Sequence, residues 1–425
     1  MNILDFGAVG DGISLNTAAI QGAMDACHQR GGGRVTVPCG VFKTGTLWMR
    51  SGVELHLEMG AELLASDAWE DYNASDAYAQ NWGCPSEGWV GKHLLIAHEV
   101  KDVALTGQGR INGNCHAFVT EMPSPRDWVY SWDRGVSRLK NEEAMRPGQL
   151  LCFIECQNVV VQDVTVVDSP CWSLYLLGCE EVRIRGIRIK NPIWMLNSDG
   201  IDIDVCRSVT VSDCIIDTGD DAIAIRACEH LLKTKQMHCE YVTVTNCILS
   251  SSSCGIRLGV GVGEIRHVLF SNLLFPRCSV VAEFCTAYEG RGCAHVENVR
   301  FSGIEAPHAN RVLELSAQNG ARVRGITLEN VRAHATMSSR IFAEGGTVED
   351  VALQNVAISY EDKHRAEDLS PRILDWRGNC LLSVKGASRV LLCGVTLRGS
   401  LDGASRRTEF EDAISLQIQN CEFGD

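Results

Sequence analysis

Val159-Val160-Val161-Gln162-Asp163-Val164 is echoed by Val182-Arg183-Ile184-Arg185-Gly186-Ile187 and by Val209-Thr210-Val211-Ser212-Asp213-Cys214. The pattern continues as Val242-Thr243-Val244-Thr245-Asn246-Cys247, Val268-Leu269-Phe270-Ser271-Asn272-Leu273 and Val299-Arg300-Phe301-Ser302-Gly303-Ile304, with weaker copies starting at Val103, Ile326, Val351 and Val390. From Val159 to Val351 successive starts lie 23, 27, 33, 26, 31, 27 and 25 residues apart. A recurrence of this length marks a solenoid. Apolar residues alternate with period 2 inside each copy, so the repeating unit is made of strands. A leucine-rich repeat would carry a helical or Leu/Asn signature, and a propeller blade would need ~40–45 residues. What fits is an all-β fold, a parallel β-helix. It has about three short strands per coil and stacks residues of equal phase ~4.8 Å apart.

Working outward, residues 16–27 show helical apolar spacing, which predicts an N-terminal capping helix over the first coil with Asn16 at its N-cap. No linker divides the 425 residues. The chain reads as a single β-helix domain over 1–425, with a loop-rich insertion around 67–149 and less regular coils after 360. A core that grows along one axis escapes the usual size limit of a domain. Forty glycines against ten prolines suit a fold with many tight turns.

The twenty cysteines include no CxxC pair, which removes the usual support for zinc ribbons and thioredoxin-like sites. Cys156, Cys179, Cys206 and Cys228 recur at one phase and read as a buried ladder of reduced thiols. No apolar run reaches the ~18–20 residues of a membrane span. The opening Met1-Asn2-Ile3-Leu4-Asp5-Phe6-Gly7 has neither a basic n-region nor an apolar h-region, so a cytoplasmic location is expected. A net charge of −14 (39 basic, 53 acidic residues) argues against nucleic-acid and anionic-membrane partners. Oligomeric state is left open.

The stacking rule aligns coils residue by residue. With Asp199-Gly200-Ile201-Asp202-Ile203-Asp204 as reference, Ile201 and Ile203 point inward, and Asp199, Asp202 and Asp204 fall near or on the outer surface. The preceding coil is Trp172-Ser173-Leu174-Tyr175-Leu176-Leu177. The following ones are Asp221-Ala222-Ile223-Ala224-Ile225-Arg226, then Cys254-Gly255-Ile256-Arg257-Leu258-Gly259, then Val281-Ala282-Glu283-Phe284-Cys285. Asp199, Asp220 and Asp221 therefore converge within two adjacent coils. Carboxylates that close repel, so one is expected to hold a proton, which suits acid/base hydrolysis of a glycosidic bond. The alternative for the same residues is a set of solvated turns or a calcium site. Asp204 with Arg226, and Arg257 with Glu283, read as neighbouring-coil surface ion pairs worth ~0–1 kcal/mol each. In the functional alternative Arg226 and Arg257 are arms that hydrogen-bond a sugar or its carboxylate.

At these residues the chain resembles glycoside hydrolase family 28, the polygalacturonase and rhamnogalacturonase family. Asn197-Ser198-Asp199 is similar to its Asn-Thr-Asp motif, and Gly219-Asp220-Asp221-Ala222-Ile223-Ala224-Ile225 to its Gly-Asp-Asp-Cys-Ile-Ala-Ile motif. The stretches Asp5-Phe6-Gly7-Ala8 and Gly31-Gly32-Gly33-Arg34-Val35-Thr36-Val37-Pro38 resemble the opening coil of bacterial members, and Arg146-Pro147 and Ser169-Pro170-Cys171-Trp172 sit in the expected order. The resemblance covers roughly residues 2 to 305. It implies a right-handed β-helix and inverting hydrolysis, with Asp220 as general acid and Asp199 and Asp221 activating water. Acid and base carboxyls are then expected ~6.5–9.5 Å apart. It implies no metal and no cofactor. The substrate-binding candidates are Trp172, Asn197, Asp202, Arg226, Ser253, Arg257, Glu283 and Tyr288.

Two departures bear on the substrate. Ser253 stands in the histidine slot of the family's Gly-His-Gly motif. Glu283-Phe284-Cys285 stands where the family has Arg-Ile-Lys, the groups that bind galacturonate near the scissile bond. An acid there repels a carboxylate, so a neutral sugar such as rhamnose is expected in the leaving-group subsite. Trp69, Trp82, Trp89, Trp128 and Trp132 fall in one segment. They read equally as a wall closing one end of a cleft, which implies exo action, or as a hydrophobic plug under long loops. The expected function is hydrolysis of pectin-derived, uronate-containing oligosaccharides. The competing readings are a β-helix lyase or epimerase and a catalytically inactive carbohydrate-binding solenoid.

Overall fold

A computed structural model describes residues 1–74, 76–81, 83–84, 88–121, 137–139, 145–288, 292–361, 378–401, 404 and 407–424. Contacts divide the chain into two compact units. One comprises Met1–Ala224 with Leu231–Met237, and the other Ile225–His230 with His238–Asp425.

In the first unit, parallel pairing links strands one coil apart, and the register follows the sequence repeat. Val103, Val159, Val182 and Val209 are successive register partners. Two positions on, Val35, Leu55, Leu105, Val161, Ile184 and Val211 form one buried column. Phe42, Leu63, Ile111, Val166, Ile189 and Ile216 form another on a different set of strands. Each buried aliphatic side chain in such a column contributes roughly 1.5–3 kcal/mol of transfer free energy. Period 2 sends one face of each strand inward, and the stack repeats it at every coil.

The second unit follows the same rule. Val242, Val268, Val299, Ile326, Val351 and Val390 stack in register, and so do Val244, Phe270, Phe301, Leu328, Leu353 and Leu392. Phe270 and Phe301 stack with ring centroids 4.6 Å apart. Beyond residue 377 the parallel register continues through Leu382–Lys385 and Ser388–Gly399, while the last strands shorten to Gln417–Gln419 and Glu422–Phe423.

The capping helix runs from Thr17 to Gln29, with Asn16 at the N-cap position. The Asn16 side chain does not cap the helix. Its amide instead accepts from Val9 N–H at 2.7 Å and donates to the Ser14 carbonyl at 2.6 Å, tying the preceding loop to the helix start. All twenty cysteines are free thiols. Cys156, Cys179 and Cys206 do form a ladder, and the Cys179 N–H donates to Cys206 Sγ at 3.3 Å.

The expected insertion around 67–149 needs correction. It contains the coil strands Leu95–His98, Lys101–Gly107 and Arg110–Asn112, which pair with coils on either side. Their short alternating apolar runs extend the columns, although the clustered tryptophans obscure them in the sequence. Trp82, Trp128 and Trp132 lie outside the described residues. Trp69 packs on Phe118 (5.8 Å) and under the Lys92 ammonium (5.6 Å).

Trp89 belongs to a plug. The strands Leu151–Ile154, Leu174–Leu177 and Ile201–Asp204 are buried on both faces. Their outward column of Ile96, Cys152, Tyr175 and Asp202 is buried, and the first three of these pack with Tyr78, Trp89 and Trp172, with Leu231 and Leu232 alongside. His93, fully buried beside this cluster, lies 2.8 Å from the Gln149 carbonyl through Nδ1 and 3.0 Å from the Tyr78 hydroxyl through Nε2. The carbonyl fixes the ring proton on Nδ1 and leaves Nε2 to accept from Tyr78. Asn81 Oδ1 also lies 3.0 Å from Nε2, yet burial dominates and depresses the imidazole from 6.5 to about 4.

Between those values the unfolded chain binds a proton that the native chain refuses. The stability contributed by neutral His93 is therefore complete above pH ~6.5 and is lost as pH falls toward ~4, by about 3 kcal/mol in total. His93→Gln is expected to flatten that part of the stability–pH profile. Urea midpoints at pH 7 and 4.5 measure it, and a variant with an unchanged difference between the two would refute the assignment.

Candidate active site

Asn197-Ser198-Asp199 and Gly219-Asp220-Asp221 are turns of the first unit that precede the strands Ile201–Asp204 and Ile223–Cys228. Ser173 N–H donates to Asp199 O at 2.8 Å, and Gly200 N–H donates to Asp221 O at 2.8 Å. Trp172, Asp199 and Asp221 thus occupy one phase on consecutive coils. Asp199, Asp220 and Asp221 each bring a carboxylate oxygen within 4.8 Å of the others. Asp199 and Asp221 are buried and Asp220 is half-buried. At an effective dielectric of ~20, two ionised carboxylates at that separation repel by about 3 kcal/mol.

The turns are packed closely enough to dictate small residues. A Cβ on Gly219 would sit 2.1 Å from Met195 O, and one on Gly200 would sit 2.4 Å from Ala222 O. Ser198 Oγ donates to Met195 O at 2.8 Å and accepts the Gly219 N–H at 3.0 Å, locking one turn on the next. Asn197 takes a left-handed backbone with φ 52°, which Asn tolerates better than most residues. Its N–H donates to Asp220 Oδ2 at 3.0 Å and so aims that carboxylate.

Arg146 was not among the site candidates. It is buried and its guanidinium fans over the turn, donating to Asn197 Oδ1, Leu196 O and Pro170 O at 2.7 Å each. The Asn197 amide oxygen is therefore engaged within the protein. Asn191, also buried, donates to Ser173 Oγ at 2.8 Å and Ser198 O at 3.0 Å and accepts from Ser169 N–H at 2.9 Å. The one sequence signal for Arg146 is its order before the Ser-Pro-Cys-Trp stretch.

Three expectations about exposure are corrected. Asp202 and Asp204 are fully buried rather than on the outer surface, and Tyr175 O–H donates to Asp204 Oδ2 at 3.2 Å. Trp172 is 4% exposed and packs against Trp89 (5.6 Å) and Tyr175 (5.4 Å), within the plug rather than on an open face. The register neighbours of Asp202 and Asp204, Tyr175 and Leu177, belong to the same buried cluster as Trp172.

The second unit carries the remaining candidates. Arg226 is buried there, so it too is no surface residue. Arg257 and Glu283 are register partners, 3.4 Å apart. Arg257 Nη2 also donates to the buried Ser253 Oγ at 3.3 Å, and Cys254 Sγ donates to Glu283 Oε2 at 2.7 Å. Glu283 is thus matched by a cation and a thiol donor. Tyr288 is 42% exposed.

The sequence profile of glycosyl hydrolases family 28 matches residues 27–241. An exo-poly-α-D-galacturonosidase of Dickeya chrysanthemi is 31% identical over 256 residues, covering 53% of this chain and 42% of that protein. The chain spans about half the length of the curated relatives it matches. The solved structure of a Yersinia enterocolitica family 28 exopolygalacturonase superposes with a TM-score of 0.73 at 21% identity, covering 98% of this chain and 77% of that one. That of a hyperthermoactive exopolygalacturonase from Thermotoga maritima superposes with a TM-score of 0.61 at 19% identity, covering 98% and 91%. These likenesses show the fold, a right-handed parallel β-helix with an N-terminal cap helix. With the profile spanning both aspartate turns, the chain belongs to glycosyl hydrolases family 28.

Proposed function

We propose that the chain is an inverting, exo-acting glycoside hydrolase on uronate-containing, pectin-derived oligosaccharides. The observation that carries this is the convergence of Asp199, Asp220 and Asp221, with family membership beside it. Asp220, aimed by the Asn197 N–H, gives a proton to the glycosidic oxygen as the bond to the anomeric carbon breaks. Asp199 and Asp221 orient a water, take its proton, and direct it at the opposite face of that carbon. The relatives named for exo action support release from a chain end.

Glu283 in the usual basic slot supports a neutral sugar, such as rhamnose, in the leaving-group subsite. Arg257 is tied to Glu283 and Ser253, so the pair presents little net positive charge to a second carboxylate. Rhamnogalacturonan-type oligomers are then preferred over homogalacturonan.

The anomeric configuration of the first product, followed by proton NMR on defined oligosaccharides, separates inversion from retention. Inversion of the α-linkage with a mono- or disaccharide released first is the expected result. A retained α-anomer, or long oligomers released early from polymer, would reverse the mechanism or the exo reading respectively. A higher kcat/KM on homogalacturonan would overturn the neutral-subsite reading.

A further inference from the structure

We propose that Cys115, His116 and Asp168 form a zinc-type cation site, apart from the three aspartates and independent of the hydrolase reading. Two parallel strands bring these residues together. Arg110–Asn112 pairs with Thr165–Val167, with Asn112 opposite Val167. Both chains leave the sheet at the next residue, one into Gly113-Asn114-Cys115-His116 and the other into Asp168. The two exits are fastened to each other. Gly113 N–H donates to Val167 O at 2.8 Å and Cys115 N–H donates to Asp168 O at 2.9 Å. They also approach so closely that a Cβ on Gly113 would meet Asp168 O at 2.7 Å.

The result is a thiol sulfur, an imidazole nitrogen and a carboxylate oxygen, all within 4.8 Å of one another. A tetrahedral zinc ion lies ~2.0–2.3 Å from its ligands, which places them roughly 3.3–3.8 Å from each other. Small rotamer changes close that gap. The donor set selects the ion, because calcium and magnesium take oxygen ligands, whereas mixed sulfur, nitrogen and oxygen suit zinc. Three protein ligands leave the fourth position to water, and the side chains are arranged for this. Cys115 is buried, Asp168 is half-buried and His116 is exposed. The His116 ring is held edge-on against Trp194 at 5.6 Å, which limits its rotation. Cys115 also packs with Tyr72, Phe118, Val119 and Met195, and Met195 begins the turn that carries Asp199. A bound ion would pin this packing and so raise the thermal stability of the turn's surroundings.

The test uses tag-free full-length protein titrated with cobalt(II) and zinc(II). The expected results are a thiolate-to-cobalt charge-transfer band that saturates at one equivalent, and a thermal midpoint that rises with zinc. Cys115→Ala should abolish the band, which separates this site from the stacked thiols Cys156 and Cys179. His116→Ala, at an exposed position, should weaken zinc binding at least tenfold. Absence of a band in the wild type, its survival in Cys115→Ala, or unchanged affinity in His116→Ala would each overturn the proposal.

Discussion

Asp220→Asn is expected to lower kcat about 10²–10⁴-fold while KM moves only a few-fold, the range a positioned general acid contributes. Asparagine keeps the size of the side chain and an oxygen that still accepts the Asn197 N–H, now 3.0 Å from Asp220 Oδ2. The turn is held from elsewhere as well, by Thr218 Oγ1 donating to Asp220 O at 2.7 Å and by Ser198 bridging Met195 and Gly219. Geometry and sugar affinity should therefore survive, and only the transferable proton is lost. A leaving group that needs no proton offers a further check. An aryl glycoside with an acidic phenol should recover most of the rate in the variant. Steady-state kinetics and calorimetric binding of an oligosaccharide separate the outcomes. A variant as active as the wild type would remove Asp220 from the role of acid. A wild type that binds sugar without turnover would favour the inactive solenoid.

Much of the fold is legible because a β-helix repeats one constraint. Val103, Val159, Val182 and Val209 recur in the sequence and are register partners in the first unit, and Val242, Val268, Val299, Ile326, Val351 and Val390 are partners in the second. Inward columns demand apolar residues at every coil, so periodicity exposes them. The same stacking brings the two aspartate turns together, since Asp199 and Asp221 hold one phase on successive coils. What covers the outward face has no period. Tyr78 comes from a loop and Trp89 from a two-residue strand outside the coil sheet, and nothing in the alternation of Tyr175, Asp202 or Asp204 announces that their face is closed. Arg146 escapes for a related reason. Its role comes from reaching Asn197, Leu196 and Pro170, a set defined only once the chain is folded.

The charge of Glu283 shows how far local sequence logic carries. An acid in a slot usually basic predicts repulsion of a uronate. In the structure that acid is gripped by Arg257 and Cys254, so its field is largely cancelled at close range. The proposed preference for a neutral sugar then rests on the loss of an unengaged cation rather than on a naked negative charge. Both accounts give Glu283→Gln a gain in galacturonate affinity, and they differ in its source. Under simple repulsion the gain survives when Arg257→Ala is added, whereas under the paired account it comes from the released Arg257 and is lost in the double variant.

The neighbouring carboxylate in the same column carries the largest expected loss of stability. Arg257, Glu283, Glu314 and Arg340 are successive register partners in the second unit, so two acids stand directly adjacent between two cations. Like charges opposite each other destabilise a sheet unless each is matched. Arg340 grips Glu314 with two bonds, at 2.6 Å and 3.0 Å. Arg311, fully buried, gives Glu314 a third bond and donates through Nε to Ser338 O at 2.6 Å. Glu314→Ala takes the carboxylate from a guanidinium that has no access to water, and breaking a buried pair in this way costs about 3–5 kcal/mol. The half-buried side of the network should matter less, so Arg340→Ala is expected to cost about 1–2 kcal/mol. Removing both buried charges tests whether the loss is electrostatic, because Arg311→Met with Glu314→Leu fills the space without stranding a charge and should recover most of the difference. Urea midpoints with unchanged slope measure all three. A loss below ~1 kcal/mol in Glu314→Ala, or a double variant as unstable as the single, would mean that the Arg311 charge is balanced by groups other than Glu314.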